Sequence, residues 1–230
     1  MPCPVDCSSC GGSGEITEAL QKETRDKYIL RFANFSPSSR MTRALISVNS
    51  LVFMVAFMDP SMTYQIALKP STFSAHHYWE LLTSVFSHSG QFPYGFLHLA
   101  LNMSFLWNYG PTLEGLLGKG RFLAFYLLSG VVASLISWLG HTWQFGGGWM
   151  AMGASGALFA LSGAMVAIYW RWRMVPLHQV QQITSWSLII LLGGVALEMS
   201  GYGFLDNWGH AGGMLGGFLI AAALPRPQGN

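Results

Sequence analysis

Six apolar stretches divide this chain, and they constrain its fold more than any other feature. Each is 17 to 23 residues long, close to the roughly 20 residues that a helix needs to cross a bilayer. Only 10% of the residues are charged, against roughly 25% in soluble proteins, which is too few for a solvated surface. We predict an all-α membrane protein whose six transmembrane helices have these bounds: Thr42–Met58, Gly95–Leu117, Phe122–Leu139, Met152–Trp170, Ile183–Met199 and Trp208–Leu224.

Basic residues predict the orientation, because Lys and Arg accumulate on the cytoplasmic side of membrane proteins. With six spans, eleven of the twelve Lys and Arg residues lie on the side of both termini, and Lys69 alone lies opposite. Both termini are therefore expected in the cytoplasm. The predicted organisation is a cytoplasmic N-terminal tail over residues 1–41, a six-helix membrane domain over 42–224 and a short cytoplasmic tail over 225–230. The first 41 residues lack an apolar core, so we do not expect a cleaved signal peptide.

Charge and cysteine content narrow the function classes further. A formal net charge of only +2 does not indicate nucleic-acid binding. Cys3, Cys7 and Cys10 are the only cysteines and all fall in the tail, where free reduced thiols are favoured over metal binding or lipidation. The histidines form no recognised metal-binding motif, and we expect neither a metal nor another cofactor.

Four polar residues in the predicted spans carry the functional signal, since uncompensated polar groups are costly in a bilayer. His98 and Asn102 lie four residues apart on one face of span 2, Ser155 opens span 4, and His210 opens span 6. These spans all begin at the outer surface, so the four residues lie within roughly 10 Å of it at 1.5 Å per residue. We therefore predict one shared site in the outer leaflet.

A serine and a histidine at one depth suit nucleophilic catalysis, because an imidazole can take the proton of an attacking hydroxyl. The resulting oxyanion needs donors such as an amide, an imidazole or the free N–H groups of a helix N-terminus. Glycines beside the serine would let a substrate carbonyl approach, and small residues in spans 4 and 6 would let these helices pack closely. The glycines concerned are Gly153, Gly156, Gly209 and Gly213.

The motifs around these residues together resemble the rhomboid intramembrane serine proteases. The matching segments are Gly153-Ala154-Ser155-Gly156, His98-Leu-Ala-Leu-Asn102, Gly209-His210-Ala211-Gly212-Gly213, GPTLEGLLGKGRF over 110–122 and WELLTSVFSH over 79–88. The resemblance implies Ser155 as nucleophile and His210 as general base, with His98, Asn102 and the Ser155 N–H group stabilising the oxyanion. It also implies hydrolysis within or near the transmembrane helices of membrane-protein substrates.

The same resemblance implies a multi-pass protein surrounded by membrane lipid, and we expect it in a bacterial inner (plasma) membrane with its site toward the non-cytoplasmic side. Two other functions remain open at this point: a catalytically inactive rhomboid-like protein that binds transmembrane clients, and a small transporter. The sequence departs from the family at Glu80, where Arg is common.

Other polar residues receive structural interpretations. Asp206 could orient His210, but a place in a solvated loop or a role as a helix cap is favoured. Glu114 is expected to form hydrogen bonds at a helix end, and Glu198 could either face a water-filled cavity or reach the membrane interface. Hydrogen bonds in or near the first outer loop are expected for the remaining histidines of that side: His76, His77, His88 and His141.

Overall fold

A computed structural model of the chain describes residues 39–201 and 205–225. Six long helices make up most of this part, and within it the only strand-like pairing is one bridge between Leu68 and Ala151. We label them as follows: α1, Arg40–Met58; α2, Tyr94–Leu117; α3, Lys119–Phe145; α4, Ser155–Trp172; α5, Leu177–Met199; α6, Asn207–Ala223. Two short helices, Ser61–Ile66 and Glu80–Thr83, and two 3-10 turns, Pro70–Thr72 and Ser84–Phe86, connect α1 to α2.

Each predicted apolar stretch overlaps one long helix, which confirms the all-α prediction. Helix α4 begins at Ser155 and not at Met152, because the backbone of Gly153 has φ +120°. Helices α3 and α5 begin three and six residues before the predicted Phe122 and Ile183. Helix α1 begins at Arg40, two residues before the predicted Thr42. The cysteines and most of the tail lie outside the described residues.

Three helices in the described part of the chain are long and apolar enough to cross a membrane by length and composition: Arg40–Met58, Lys119–Phe145 and Leu177–Met199. These are α1, α3 and α5. The six-span count and the cytoplasmic position of both termini stay predictions.

Helix α4 is the centre of the bundle. Eleven of its 18 residues are buried, whereas α5 buries only four of 23. A helix that is apolar on all sides is either surrounded by other helices or exposed to lipid, and α4 contacts α2, α3, α5 and α6. Helix α5 is thus peripheral, and α4 is the rigid element on which the site is built.

Glycines bring the backbones of α4 and α6 into direct contact. A Cβ atom added to Gly163 would lie 1.9 Å from the carbonyl oxygen of Met214, and one added to Gly217 would lie 2.2 Å from that of Ala160. Both distances are far below a normal carbon–oxygen contact. Because these glycines have no side chains, the two helices can pack more closely than larger residues would allow.

A buried carboxylate joins the start of α1 to the end of α2, on the side predicted to face the cytoplasm. Glu114 accepts hydrogen bonds from the backbone N–H of Met41 at 3.0 Å, and from the N–H and hydroxyl of Thr42, each at 2.8 Å. The first N–H groups of a helix lack partners within the helix, so this carboxylate caps α1. The expected helix-end role of Glu114 is confirmed.

A buried ion pair organises the segment between α1 and α2. The ammonium group of Lys69 lies 2.6 Å from Glu80, and the hydroxyl of Thr72 donates to the same carboxylate. Lys69 also donates to the backbone carbonyls of Tyr64 and Ala67. A buried charge requires such partners. Glu80, which stands where the family commonly has Arg, is therefore accommodated by the ion pair with Lys69.

Candidate active site

Ser155 lies at the first position of α4, where backbone N–H groups have no partner within the helix. The preceding Gly153 adopts a positive φ and donates its N–H to the carbonyl of Ser84 at 2.9 Å. This contact fixes the segment that leads into α4. The local sequence thus places a hydroxyl beside unpaired amide donors and the positive end of the helix dipole.

His210 lies in the first turn of α6 and reaches Ser155. Its Nε2 atom is 2.9 Å from the Ser155 hydroxyl oxygen, a normal hydrogen-bond distance. The imidazole is stacked on Phe159 of α4, with ring centroids 4.2 Å apart and an angle of 5° between the planes. The histidine side chain is only 4% exposed, so packing restricts its ring to this orientation.

The hydrogen bond depends on the close approach of α4 and α6. An added Cβ atom on Gly213 would lie 2.0 Å from the carbonyl oxygen of Gly156, and one on Gly156 would lie 3.5 Å from that of Gly209. Three of the four glycines singled out in the sequence therefore lie where the two helices meet. Any larger residue at Gly213 must move the helices apart.

His98 and Asn102 of α2 point toward the fourth glycine, Gly153. A Cβ atom added there would lie 2.7 Å from Cε1 and 3.0 Å from Nε2 of His98, and 3.6 Å from Nδ2 of Asn102. The absence of a side chain at Gly153 leaves this space open. Two side-chain donors thus converge on the backbone two residues before Ser155.

All four polar side chains border one cavity of about 1130 Å³. One wall is formed by α2, with Leu101 and Phe105, and the other by α5, with Ile189 and Leu197. A second cavity of about 20 Å³, enough for one water molecule, reaches Ser155 from the side of α3. The site therefore combines a hydroxyl, an imidazole and two donors on a large, mostly apolar cavity.

Asp206 does not pair with the imidazole of His210. Its carboxylate caps α6 by accepting from the N–H of Gly209 at 2.8 Å, and accepts from the hydroxyl of Ser137 at 2.8 Å. Its other neighbour is His141, at 3.6 Å. Within the described residues, Nδ1 of His210 is buried without a hydrogen-bond partner. The geometry is therefore that of a Ser–His pair and not of a triad, and the capping interpretation of Asp206 is confirmed.

Glu198 has a role that neither of its two sequence interpretations anticipated. Its carboxylate accepts hydrogen bonds from Asn207 of α6, at 2.7 Å, and from Gln144 of α3. Gln144 in turn accepts from the indole N–H of Trp208 at 2.7 Å. These four side chains link the end of the peripheral helix α5 to α3 and α6, and we refer to them as the Glu198 clamp.

His88 of the first loop contacts the candidate site, although the sequence predicted only that it forms hydrogen bonds in that loop. Its Nε2 atom lies 3.0 Å from Nδ2 of Asn102, so the expected hydrogen bond joins the first loop to the candidate site. Burial lowers the pKa of His88 to about 3, with a smaller contribution from the nearby His98. No spacing pattern could have revealed this contact, because it depends on how the loop folds back onto α2.

The described residues contain no group of three His, Cys, Asp or Glu side chains close enough to hold a metal ion.

Comparison with known proteins agrees with the motifs. A family model described as "Rhomboid domain" matches residues 75–227. Rhomboid protease GluP of Bacillus subtilis is 31% identical over 215 residues, covering 90% of this chain and 39% of that protein. RHOMBOID-like protein 5 of Arabidopsis thaliana is 37% identical over 154 residues, covering 65% of this chain and 45% of the relative.

Rhomboid-like protease 3 of Toxoplasma gondii is 31% identical over 151 residues, covering 64% of this chain and 52% of the relative. The chain therefore spans about two fifths to one half of the length of these relatives. Since the domain match extends over well more than half of the chain, the protein is an integral membrane protein of the rhomboid family, a family of helical bundles that includes serine intramembrane proteases.

Proposed function

We propose that this protein is an intramembrane serine endopeptidase that hydrolyses peptide bonds in or near the transmembrane helices of membrane-protein substrates. The observation that carries the proposal is the 2.9 Å contact between Nε2 of His210 and the hydroxyl of Ser155, on a cavity that His98 and Asn102 also border. This arrangement supports Ser155 as nucleophile, His210 as base and the other two side chains as donors, as acyl transfer requires.

In the proposed reaction, the Ser155 oxygen attacks the substrate carbonyl carbon while Nε2 of His210 takes the hydroxyl proton. The carbonyl oxygen becomes an oxyanion, which His98, Asn102 and the N–H group of Ser155 stabilise by hydrogen bonds. The tetrahedral intermediate expels the amine, which receives the proton from His210, and leaves an acyl-enzyme. A water molecule, activated by the same imidazole, then hydrolyses the ester and restores Ser155.

The packing around His210 supports its role as general base. Stacking on Phe159 directs Nε2 at the serine before any substrate binds, so little reorganisation is needed at the moment of reaction. Gly153 and Gly156 flank the nucleophile without side chains that would obstruct a carbonyl group. The small volume behind Ser155 offers a place for water next to the acyl-enzyme.

We further propose that a substrate helix approaches between α2 and α5. These helices form opposite walls of the cavity, and the wall residues are mostly apolar, as a lipid-exposed helix requires. The proposed arrangement in the membrane has six spans over residues 42–224, cytoplasmic tails over 1–41 and 225–230, and the site facing the non-cytoplasmic side of a bacterial inner membrane. The excess of Lys and Arg on one side supports this orientation.

The alternative of a transporter has less support. From the site toward the opposite end of α4, Ser162 is the one buried polar side chain of that helix, and the large buried side chains are apolar: Leu158, Leu161, Met165 and Ile168. A permeation path needs polar groups through the whole membrane, and this core contains a dense apolar layer instead. An inactive client-binding protein would not need the Ser155–His210 contact.

The test uses purified protein with a fluorogenic transmembrane reporter substrate in proteoliposomes. Ser155→Ala and His210→Ala should each lower turnover to background, roughly 10⁴-fold or more, because the two residues act as one unit. Labelling with a serine-directed fluorophosphonate should modify the wild type at Ser155 and not the alanine variant. A wild-type protein that binds the reporter but neither cleaves it nor reacts would favour the inactive client-binding function.

A further inference from the structure

The side chain of His88 makes two contacts that together fix its chemical state. The imidazole is 0% exposed, and the residue lies two positions after the turn Ser84–Phe86. Its Nδ1 atom lies 3.4 Å from the backbone carbonyl oxygen of Phe86, and its Nε2 atom lies 3.0 Å from Nδ2 of Asn102. The carbonyl can only accept a hydrogen bond, so Nδ1 must be the protonated nitrogen.

That tautomer determines the orientation of the Asn102 amide. When Nδ1 carries the proton, Nε2 of His88 has a lone pair and accepts a hydrogen from the amide nitrogen. If the amide were rotated by 180°, its oxygen would face this lone pair and the two acceptors would repel. The backbone carbonyl of Phe86 thus selects the tautomer of His88, and the tautomer selects the rotamer of Asn102.

The orientation of the Asn102 amide decides whether a hydrogen or an oxygen faces the space beside Gly153 and Ser155. An amide nitrogen carries two hydrogens, and His88 occupies one of them. The same nitrogen lies 3.6 Å from the position that a Gly153 Cβ would take, and Asn102 borders the cavity shared with Ser155. The second hydrogen is therefore free to serve an oxyanion there, whereas a rotated amide would present an oxygen and repel it.

We propose that His88 is a positioning residue that holds the Asn102 amide with its nitrogen, and not its oxygen, toward the oxyanion site. This inference rests on the proposed protease function. Burial keeps the imidazole neutral, as the acceptor role requires, since an imidazolium would present an N–H to the amide donor. The neighbouring ring of His98, 5.1 Å away between centroids, also disfavours a positive charge on His88.

The activity test combines variants of both residues, assayed with the reporter substrate. His88→Phe keeps an aromatic ring but removes the acceptor, and we expect kcat to fall by about 10- to 100-fold with KM changed less than threefold. His88→Gln supplies a carbonyl acceptor and should recover part of the loss. In an Asn102→Ala background, His88→Phe should cause no further loss, because His88 acts through Asn102.

A purely structural role predicts a different pattern, in which the two losses multiply and His88→Gln is no better than His88→Phe. That pattern overturns the inference, as does an unchanged kcat in His88→Phe. These outcomes are separate from failure of the proposed function, in which the wild type itself would neither cleave the reporter nor react with the fluorophosphonate.

A second measurement uses the wild-type protein and does not require activity. A variant is needed only to assign the NMR signals of His88. The ¹⁵N chemical shifts of protein labelled at histidine report which ring nitrogen is protonated, and His88→Gln identifies the His88 signals by their loss. We expect the Nδ1–H tautomer of His88 near neutral pH. An Nε2–H tautomer or a charged ring would overturn the inference, even if His88→Phe failed to fold.

Discussion

Gly213 of α6 lies directly against the backbone of Gly156 in α4, one residue beyond Ser155. A Cβ atom on Gly213 would come within 2.0 Å of the Gly156 carbonyl oxygen, so any side chain there displaces α6 from α4. His210 lies one helical turn before Gly213. The 2.9 Å contact between His210 and Ser155 therefore depends on the absence of a side chain at Gly213.

Gly213→Ala tests this dependence. We expect a loss of roughly 1–3 kcal/mol in the free energy of unfolding and a large fall in kcat, because both helix packing and the Ser–His distance are disturbed. Gly120→Ala in α3 is the control, since a Cβ there meets nothing within 4 Å. Thermal unfolding and turnover of the reporter measure the two effects. Equal behaviour of both variants would show that α4 and α6 tolerate separation.

Gly153→Ala tests the open space beside the donors of α2. The new Cβ would lie 2.7 Å from His98 Cε1, and the φ of +120° is unfavourable for alanine, so we expect kcat to fall by about 100-fold. Gly118→Ala separates the two causes, because Gly118 also has a positive φ, +79°, but no atom within 4 Å of an added Cβ. Gly118→Ala should lose stability while retaining kcat. A matching loss of kcat in both variants would attribute the effect to strain alone.

Phe159→Leu tests the support of the imidazole. Leucine fills much of the buried volume but has no flat ring to stack on His210, so the imidazole gains rotational freedom. We expect kcat to fall by about tenfold, with KM little changed and reduced fluorophosphonate labelling of Ser155. The reporter assay at saturating substrate measures kcat. Full activity in Phe159→Leu would mean that the hydrogen bond to Ser155 orients the ring without help.

Glu198→Ala tests the Glu198 clamp. Helix α5 buries few residues, so we expect loss of the clamp to loosen the end of α5 near Met199. The unfolding temperature should fall slightly, and cleavage of a helical reporter should become faster. Ser200→Ala is the control, because among the described residues that hydroxyl donates only to the backbone carbonyl of Ala196 in α5. Slower cleavage in Glu198→Ala, with Ser200→Ala unchanged, would argue against access between α2 and α5.

Lys69→Met tests the buried ion pair of the first loop. The substitution leaves the Glu80 carboxylate buried without its cation, so we expect a loss of about 3–5 kcal/mol in the free energy of unfolding. Lys69→Met combined with Glu80→Met removes both charges and should recover most of this loss. Thermal or denaturant unfolding in detergent gives the comparison. A double variant no more stable than Lys69→Met would show that the hydrogen bonds of Glu80 outweigh its charge pairing.

Much of the architecture could be predicted from the sequence because helices in lipid must be long and apolar. Each apolar stretch therefore overlaps one of the helices α1 to α6, and Ser155, predicted near the start of a span, lies at the first position of α4. The start of α4 was misplaced at Met152 because hydrophobicity continues through Gly153, whose backbone is not helical. Apolar content alone does not report a backbone torsion.

The sequence by itself determined the class of fold, the approximate position of each helix and the choice of one hydroxyl, one imidazole and two donors as candidates for a shared site. These depend on composition and on spacing within single helices. Only the tertiary structure decided which side chains touch. The His88–Asn102 contact, the Glu198 clamp and the absence of an Asp206–His210 pair arise from segments folded against one another, and hydrogen bonds depend on ångström-scale distances that spacing along a chain does not encode.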